Sequence, residues 1–242
     1  MQETVIIIPC YNESERLDRN VFHSFLEENP TVSLFFVDDG SSDNTHEILY
    51  EFERKYENAQ CYTLSENKGK AEAIRLSILH LLQNFNIKYI GYFDADLSTS
   101  LDYIIAFKQV LDTSPDLKAV TGSRIKKLGS TISRNPLRHI MGRIVATIAS
   151  SILQLPVYDT QCGAKLFRVS FVQDIFTLPF HTKWLFDIEI FARLKNANGK
   201  NIILKSIIEH PLKEWIDEGN SRIKLKDFVR VPIDLLRIYR AY

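Results

Sequence analysis

Only three cysteines occur in the 242 residues, Cys10, Cys61 and Cys162, an odd and widely spaced set that fits neither a disulfide framework nor a zinc site. Glycine is scarce too, with nine in all and none before Gly40. A dinucleotide fingerprint or P-loop needs glycines at the first strand-to-helix turn, where the backbone must approach a pyrophosphate, so both are excluded. No apolar run reaches the roughly 20 residues that span a bilayer. No basic leader precedes the apolar segment that begins at Thr4. Net charge is absent as well: 30 Lys and Arg balance 30 Asp and Glu, which removes any general attraction to nucleic acid. The expectation is a cytoplasmic protein in a reducing compartment. At 45% hydrophobic and 25% charged residues, the chain has an ordinary globular composition.

What is present is an alternation of short apolar runs and amphipathic stretches, the pattern of a mostly parallel sheet covered by helices. Strands are expected at Thr4 to Ile8, Ser33 to Val37, Gln60 to Leu64, Tyr89 to Phe93 and Ala119 to Gly122. Ile74, Ile78, Leu81, Leu82 and Phe85 recur at helical spacing, as do Thr45, Ile48, Leu49, Phe52 and Tyr56. The second half is expected to hold a helix over Leu137 to Leu155, a strand at Ala164 to Val169, a helix at Phe186 to Leu194, a strand at Asn201 to Ile208 and a C-terminal helix interrupted by Pro232. No linker or repeat divides the chain, so residues 1–242 are expected to form one domain.

In open parallel sheets, ligands bind beyond the carboxyl ends of the strands. The first strand is followed by Pro9-Cys10-Tyr11-Asn12-Glu13 and the second by Asp38-Asp39-Gly40-Ser41-Ser42-Asp43-Asn44-Thr45. There Asp38 or Asp43 suits a helix cap and leaves Asp39 for a ligand. The fourth strand is followed by Asp94-Ala95-Asp96, two hard oxygen donors that suit Mg²⁺ or Mn²⁺ with the remaining ligands taken from a diphosphate. Asn67-Lys68-Gly69-Lys70 adds two lysines and backbone N–H groups where a phosphate can lie.

These four motifs, in this order, resemble the family 2 glycosyltransferases with the GT-A fold. The resemblance continues through Gly122-Ser123-Arg124, Asp159 to Phe167, Trp184 to Glu189, Glu214-Trp215 and Gly219 to Lys224. It looks like the polyprenyl-phosphate branch, on its dolichyl-phosphate glucosyltransferase side. It implies an α/β fold, Rossmann-like and single-domain, with residues 1–123 as the nucleotide-sugar half and 124–242 as the acceptor half. Pro9, Tyr11, Glu13 and Asp39 then hold the nucleoside, Lys68, Gly69 and Lys70 the phosphates, and Asp94 and Asp96 the diphosphate and metal. The implied partners are a nucleoside-diphosphate sugar, UDP-glucose ahead of GDP-mannose, and polyprenyl phosphate.

From Leu117 to Tyr158 the chain has no Asp or Glu but carries Lys118, Arg124, Lys126, Lys127, Arg134, Arg138 and Arg143. Arg124, Arg134 and Arg138 match acceptor-phosphate arginines of the resembled branch, and their guanidinium geometry suits bidentate phosphate contact; Lys126 and Lys127 read as a solvated face. The nearly apolar 140–155 stretch suits burial, a lipid tail or an interface. On a helical wheel Lys226, Arg230, Arg237 and Arg240 gather opposite Phe228, Leu235 and Tyr239, an arrangement shared by helices lying on anionic lipid and by helices of soluble domains. Asp187 occupies the position of the base in hydroxyl-acceptor relatives. The alternatives are therefore transfer to a saccharide hydroxyl with Asp187 as an obligatory base, or a nucleotide-sugar binding protein without turnover.

Overall fold

The computed structural model describes residues 2–133, 136–216 and 230–242, and of residues 136–138 the backbone alone. The first half alternates β1 (Thr4–Cys10), α1 (Arg19–Glu28), β2 (Val32–Asp38), α2 (Thr45–Lys55), β3 (Ala59–Thr63), α3 (Lys70–Asn84), β4 (Tyr89–Phe93), α4 (Asp102–Thr113) and β5 (Ala119–Ser123). Then follow β6 (Thr131–Ser133), α5 (Pro136–Leu153), β7 (Ala164–Arg168), α6 (Val169–Val172), α7 (Phe186–Asn198), α8 (Lys200–Ser206), β8 (Ile207–Pro211), β9 (Glu214–Ile216) and α9 (Val231–Ala241).

Seven strands form one sheet in the order β3-β2-β1-β4-β7-β5-β8. All neighbours are parallel except β7, which lies antiparallel between β4 and β5. A strand from the second half thus sits in the middle of the sheet built by the first. β6 and β9 pair in a separate two-stranded ribbon.

Successive strand residues point to opposite faces, and here both faces are buried. Val5, Ile7, Phe35 and Val37 join one cluster with Ile74, Ile78 and Leu81 of α3, Val145 and Ala149 of α5, and Leu235 and Ile238 of α9. Ile6, Ile8, Leu34 and Phe36 join the other with Phe22 of α1, Leu49 and Phe52 of α2, and Ile104, Phe107 and Leu111 of α4. α1 and α4, which the sequence reading passes over, thus complete the second layer.

Two expectations need correction. Residues 201–206, expected as strand, are helix: Ile203 is buried while its neighbours Ile202 and Leu204 are exposed. A continuous apolar run has no period of its own, and Gly199, at φ 82°, starts the turn that separates α7 from α8. Pro232 lies in the first turn of α9, where its missing N–H costs nothing, and so begins the helix instead of interrupting it. At the start of α2, Asp43 Oδ1 accepts from Thr45 N–H at 3.0 Å and from Thr45 Oγ1 at 2.6 Å, while Asn44 makes no side-chain cap. Lys226, Phe228 and the Gly219 to Lys224 motif lie outside the described residues.

Candidate active site

The carboxyl ends of β1, β2, β3 and β4 face one edge, and the loops that leave them bind to each other. Asp39 N–H donates to Cys10 O at 2.8 Å, Asn12 N–H to Ser41 Oγ at 2.9 Å, and Glu13 N–H to Thr45 Oγ1 at 2.7 Å. Gly40, at φ 66°, is needed here, since a Cβ would lie 2.5 Å from the backbone of Glu66. Asp38 accepts from Ser41 N–H, which accounts for one of the two adjacent carboxylates as a turn former.

Asp39 is not left free by that turn. Its Oδ1 accepts from Lys68 N–H and its Oδ2 from Gly69 N–H, both at 2.8 Å, so a buried carboxylate shapes the loop that opens α3. Burial raises its pKa and the two backbone donors oppose the rise. The two lysines of that loop diverge. Lys68 turns outward to Glu66, 2.8 Å away, whereas Lys70 donates to Asp94 Oδ1. Burial works against the Lys70 charge, but Asp94, Asp187 and Asp96 outweigh it and raise the pKa.

Asp94 and Asp96 are half-buried as β4 unwinds. Leu97 sits at φ 56°, a left-handed conformation costly for a side chain of its size, while Ser98 N–H donates to Asp96 Oδ1 at 3.0 Å. Gly163 presses on Asp94: a Cβ there would lie 1.9 Å from Oδ2. Asp94 already receives the ammonium of Lys70, and Asp96 Oδ2 has no hydrogen-bond partner among the described residues. No cluster of three or more His, Cys, Asp or Glu gathers among them. Two hard carboxylates, with no such cluster around them among the described residues, fit a divalent ion that completes its shell from a diphosphate and water.

Across the sheet, Asp187 opens α7 and lies buried. Its Oδ1 accepts from Lys165 Nζ at 2.6 Å and from the Tyr92 hydroxyl. Burial, and then the Asp187 charge, push the Tyr92 pKa well up, so that hydroxyl stays a donor. Glu189 faces elsewhere and pairs with Arg193 at 2.8 Å, as two positions about 200° apart on a helix require. Arg124, leaving β5, donates from Nε and Nη2 to Asp159 at 2.7 and 2.8 Å and lies 5.1 Å over the Trp215 ring. Burial opposes its charge, and Asp159 more than offsets that, raising its pKa. Asp159 is itself held through its N–H by Glu209, at 2.8 Å.

The edge therefore assembles Pro9, Tyr11, Glu13, Asp39, Gly69, Lys70, Asp94, Asp96, Arg124 and Asp187 on the loops, strand ends and helix starts around it. Lys68 contributes its backbone and not its ammonium. Arg134 lies outside the described residues, and Arg138 is placed in α5 by its backbone only. Sequence reasoning missed Tyr92, Lys165, Asp159 and Glu209 as contributors. Lys165 had a signal: a lysine within the Ala164–Arg168 strand demands a buried partner.

The sheet order, with two carboxylates where β4 ends, is that of a glycosyltransferase of the GT-A type. The chain belongs to Glycosyl transferase family 2, whose family model matches residues 5–176. A dolichyl-phosphate beta-glucosyltransferase of Trichomonas vaginalis is 30% identical over 97% of this chain and 70% of its own length. The dolichyl-phosphate beta-glucosyltransferase of Saccharomyces cerevisiae is 29% identical over 98% of this chain and 74% of its own. Among solved structures, glucosyl-3-phosphoglycerate synthase from Mycobacterium tuberculosis in complex with Mn²⁺, uridine-diphosphate and phosphoglyceric acid shares the fold at a TM-score of 0.73 and 16% identity, over 98% of this chain and 78% of that one.

Proposed function

We propose that this glycosyltransferase moves a glucosyl unit from UDP-glucose to polyprenyl phosphate with inversion at the anomeric carbon. The observation that carries the lipid acceptor is an apolar groove of about 460 Å³ between α5 and α9, lined by Met141, Ile144, Ile148, Ile152, Leu235 and Tyr239 among others. A saccharide acceptor calls for convergent polar groups, which this lining lacks; a polyprenyl chain calls for apolar walls. The exposed Ile140, Ile233 and Leu236 beside it suit contact with a lipid surface, and no helix among the described residues is long and apolar enough to cross a membrane. The names of the related glucosyltransferases support glucose and a lipid phosphate.

In this reading Tyr11, Glu13 and Asp39 hold the nucleoside, and the Gly69 turn and Lys70 face the diphosphate. Asp94 and Asp96 hold Mg²⁺ or Mn²⁺, which neutralises charge on the leaving diphosphate. Arg124, Arg134 and Arg138 hold the acceptor phosphate, whose oxygen is already anionic near neutral pH and needs no base to attack. The test is incubation with Mn²⁺, a short polyprenyl phosphate and either UDP-glucose or GDP-mannose, followed by mass spectrometry. A glucosyl-phosphoryl lipid formed from UDP-glucose is expected. A product on a free saccharide, or transfer from GDP-mannose alone, overturns the reading.

A further inference from the structure

Lys165 is fully buried, and such a lysine needs a reason beyond stability, because apolar residues of similar volume often replace a buried ion pair without loss. Its place follows from the sheet register. β7 runs antiparallel to β4, with Lys165 opposite Tyr92, and opposite Thr121 on β5, which in turn faces Glu209 on β8. Directly opposed residues share a face. Tyr92, Lys165, Thr121 and Glu209 therefore make one polar row across four strands. One end of the row meets Asp187, and the other holds the Asp159 that grips Arg124.

At the Asp187 end the contacts are one-sided. Both donors, Lys165 Nζ and the Tyr92 hydroxyl, go to Oδ1, while Oδ2 has no hydrogen bond among the described residues. The second contact of Lys165, to Cys162 O at 2.7 Å, anchors the ammonium to the loop before β7, so the carboxylate cannot swing with it. The opening turn of α7 also brings Phe186 to the Lys70 ammonium, 5.9 Å from its ring. We propose that Lys165, together with Tyr92, is a positioning residue for transfer: it pins Asp187 by one oxygen so that the other is presented to the reacting groups in a fixed orientation. The proposal rests on the functional reading above for the transfer itself and adds to it that Asp187 works at the transfer site, orienting the reacting groups and not serving as a base, whichever acceptor is used.

The test compares Lys165→Met, Tyr92→Phe, Asp187→Asn and Lys165→Met/Asp187→Asn by steady-state kinetics, by calorimetric titration of UDP-glucose with Mn²⁺, and by thermal melting. Lys165→Met is expected to lower kcat by about 10- to 100-fold, the worth of a buried charge-assisted bond. The donor Kd should stay within about twofold, since the lysine touches no donor-side group. On the Asp187→Asn background, Lys165→Met should cost nothing further. Lys165→Met leaves an anion buried alone and can fail to fold. Tyr92→Phe keeps the ion pair and should still lose roughly 3- to 10-fold in kcat, and the double variant removes both charges together. Wild-type kcat in Asp187→Asn or Tyr92→Phe, additive losses in the double variant, or donor affinity falling in step with kcat overturns the proposal. Wild-type transfer to polyprenyl phosphate tests the functional reading separately. If that fails, the same ratios are read on whichever acceptor turns over, or on hydrolysis of UDP-glucose.

Discussion

Replacing Gly163 with Ala moves one carboxylate without touching its chemistry. A Cβ at 163 would lie 1.9 Å from Asp94 Oδ2, 2.4 Å from Cγ and 2.7 Å from Oδ1. Ordinary heavy-atom contact is about 3.5 Å, so the carboxylate must retreat by roughly 1.5 Å. The strands cannot absorb this, because Asp94 N–H is bonded to Gly163 O at 3.1 Å. The side chain must therefore turn, leaving both Lys70 and the place beside Asp96 where the metal is proposed to bind. Gly163 is not among the residues with positive φ, so alanine brings no backbone strain and the protein should fold. Misplacement of a reacting or liganding group by about 1 Å costs on the order of 100-fold. Gly163→Ala should accordingly lower kcat/KM for UDP-glucose by about that factor and raise the Mn²⁺ concentration for half-activity. Gly122→Ala is the control: its Cβ would meet Cys162 Sγ at 2.7 Å, so its cost should appear in Tm and not in the Mn²⁺ dependence. Unchanged kcat/KM and Mn²⁺ response in Gly163→Ala would refute the proposal that Asp94 is a metal ligand.

Arg124→Ala should raise the KM for polyprenyl phosphate about 10- to 150-fold, the worth of a charge-assisted contact, without changing the donor Kd. Arg124→Lys should recover little, because lysine cannot reproduce the fork on Asp159; a rise in the donor constant would place Arg124 elsewhere. Burial pushes the thiol of Cys61 up to about 12 and that of Cys162 to about 11, and Cys10 is buried. An aromatic disulfide reagent at pH 8 should therefore find no fast thiol in the native protein and three after unfolding. Burial opposes ionisation of Asp43, but hydrogen bonds from Thr45 and Ser14 outweigh it and hold the pKa at about 2 against an ordinary 3.8. The folded state then binds fewer protons than the unfolded one between those values, so this stability is complete above about pH 4 and lost as pH falls through 2. Urea titrations should show that loss, and Asp43→Asn should flatten it.

The sheet was legible because parallel strands buried on both faces read as continuous apolar runs, and Tyr89 to Phe93 is such a run with the right length. The same property hid α8, since Ile202-Ile203-Leu204 is also continuous and apolar, and burial of Ile203 alone reveals the helix. The antiparallel hand of β7 was not legible. Its pairing with β4 joins residues more than 70 positions apart, and nothing local records direction. Asp39, Asp94 and Asp96 were legible as candidates because they stand just after strands, where chain order alone puts them on the edge.

Their partners were not, and the difference is physical. Asp94 and Asp96 are two residues apart, so local geometry brings them together. Asp187 meets Lys165 across 22 positions and Arg124 meets Asp159 across 35, through a sheet register the sequence does not spell out. In each pair the partner fixes a group that sequence reasoning had assigned as if it stood free: Lys165 fixes Asp187, and Asp159 fixes Arg124. Arg124 is thereby more than a basic residue in an acid-free stretch. With Nε and Nη2 committed to Asp159, its orientation is set in advance, so in the proposed role the entropy of ordering a long side chain is not charged to binding. The counter-ion of Arg124 comes immediately after the acid-free stretch from Leu117 to Tyr158, at Asp159, and reaches Arg124 only when β5 and the loop before β7 lie side by side.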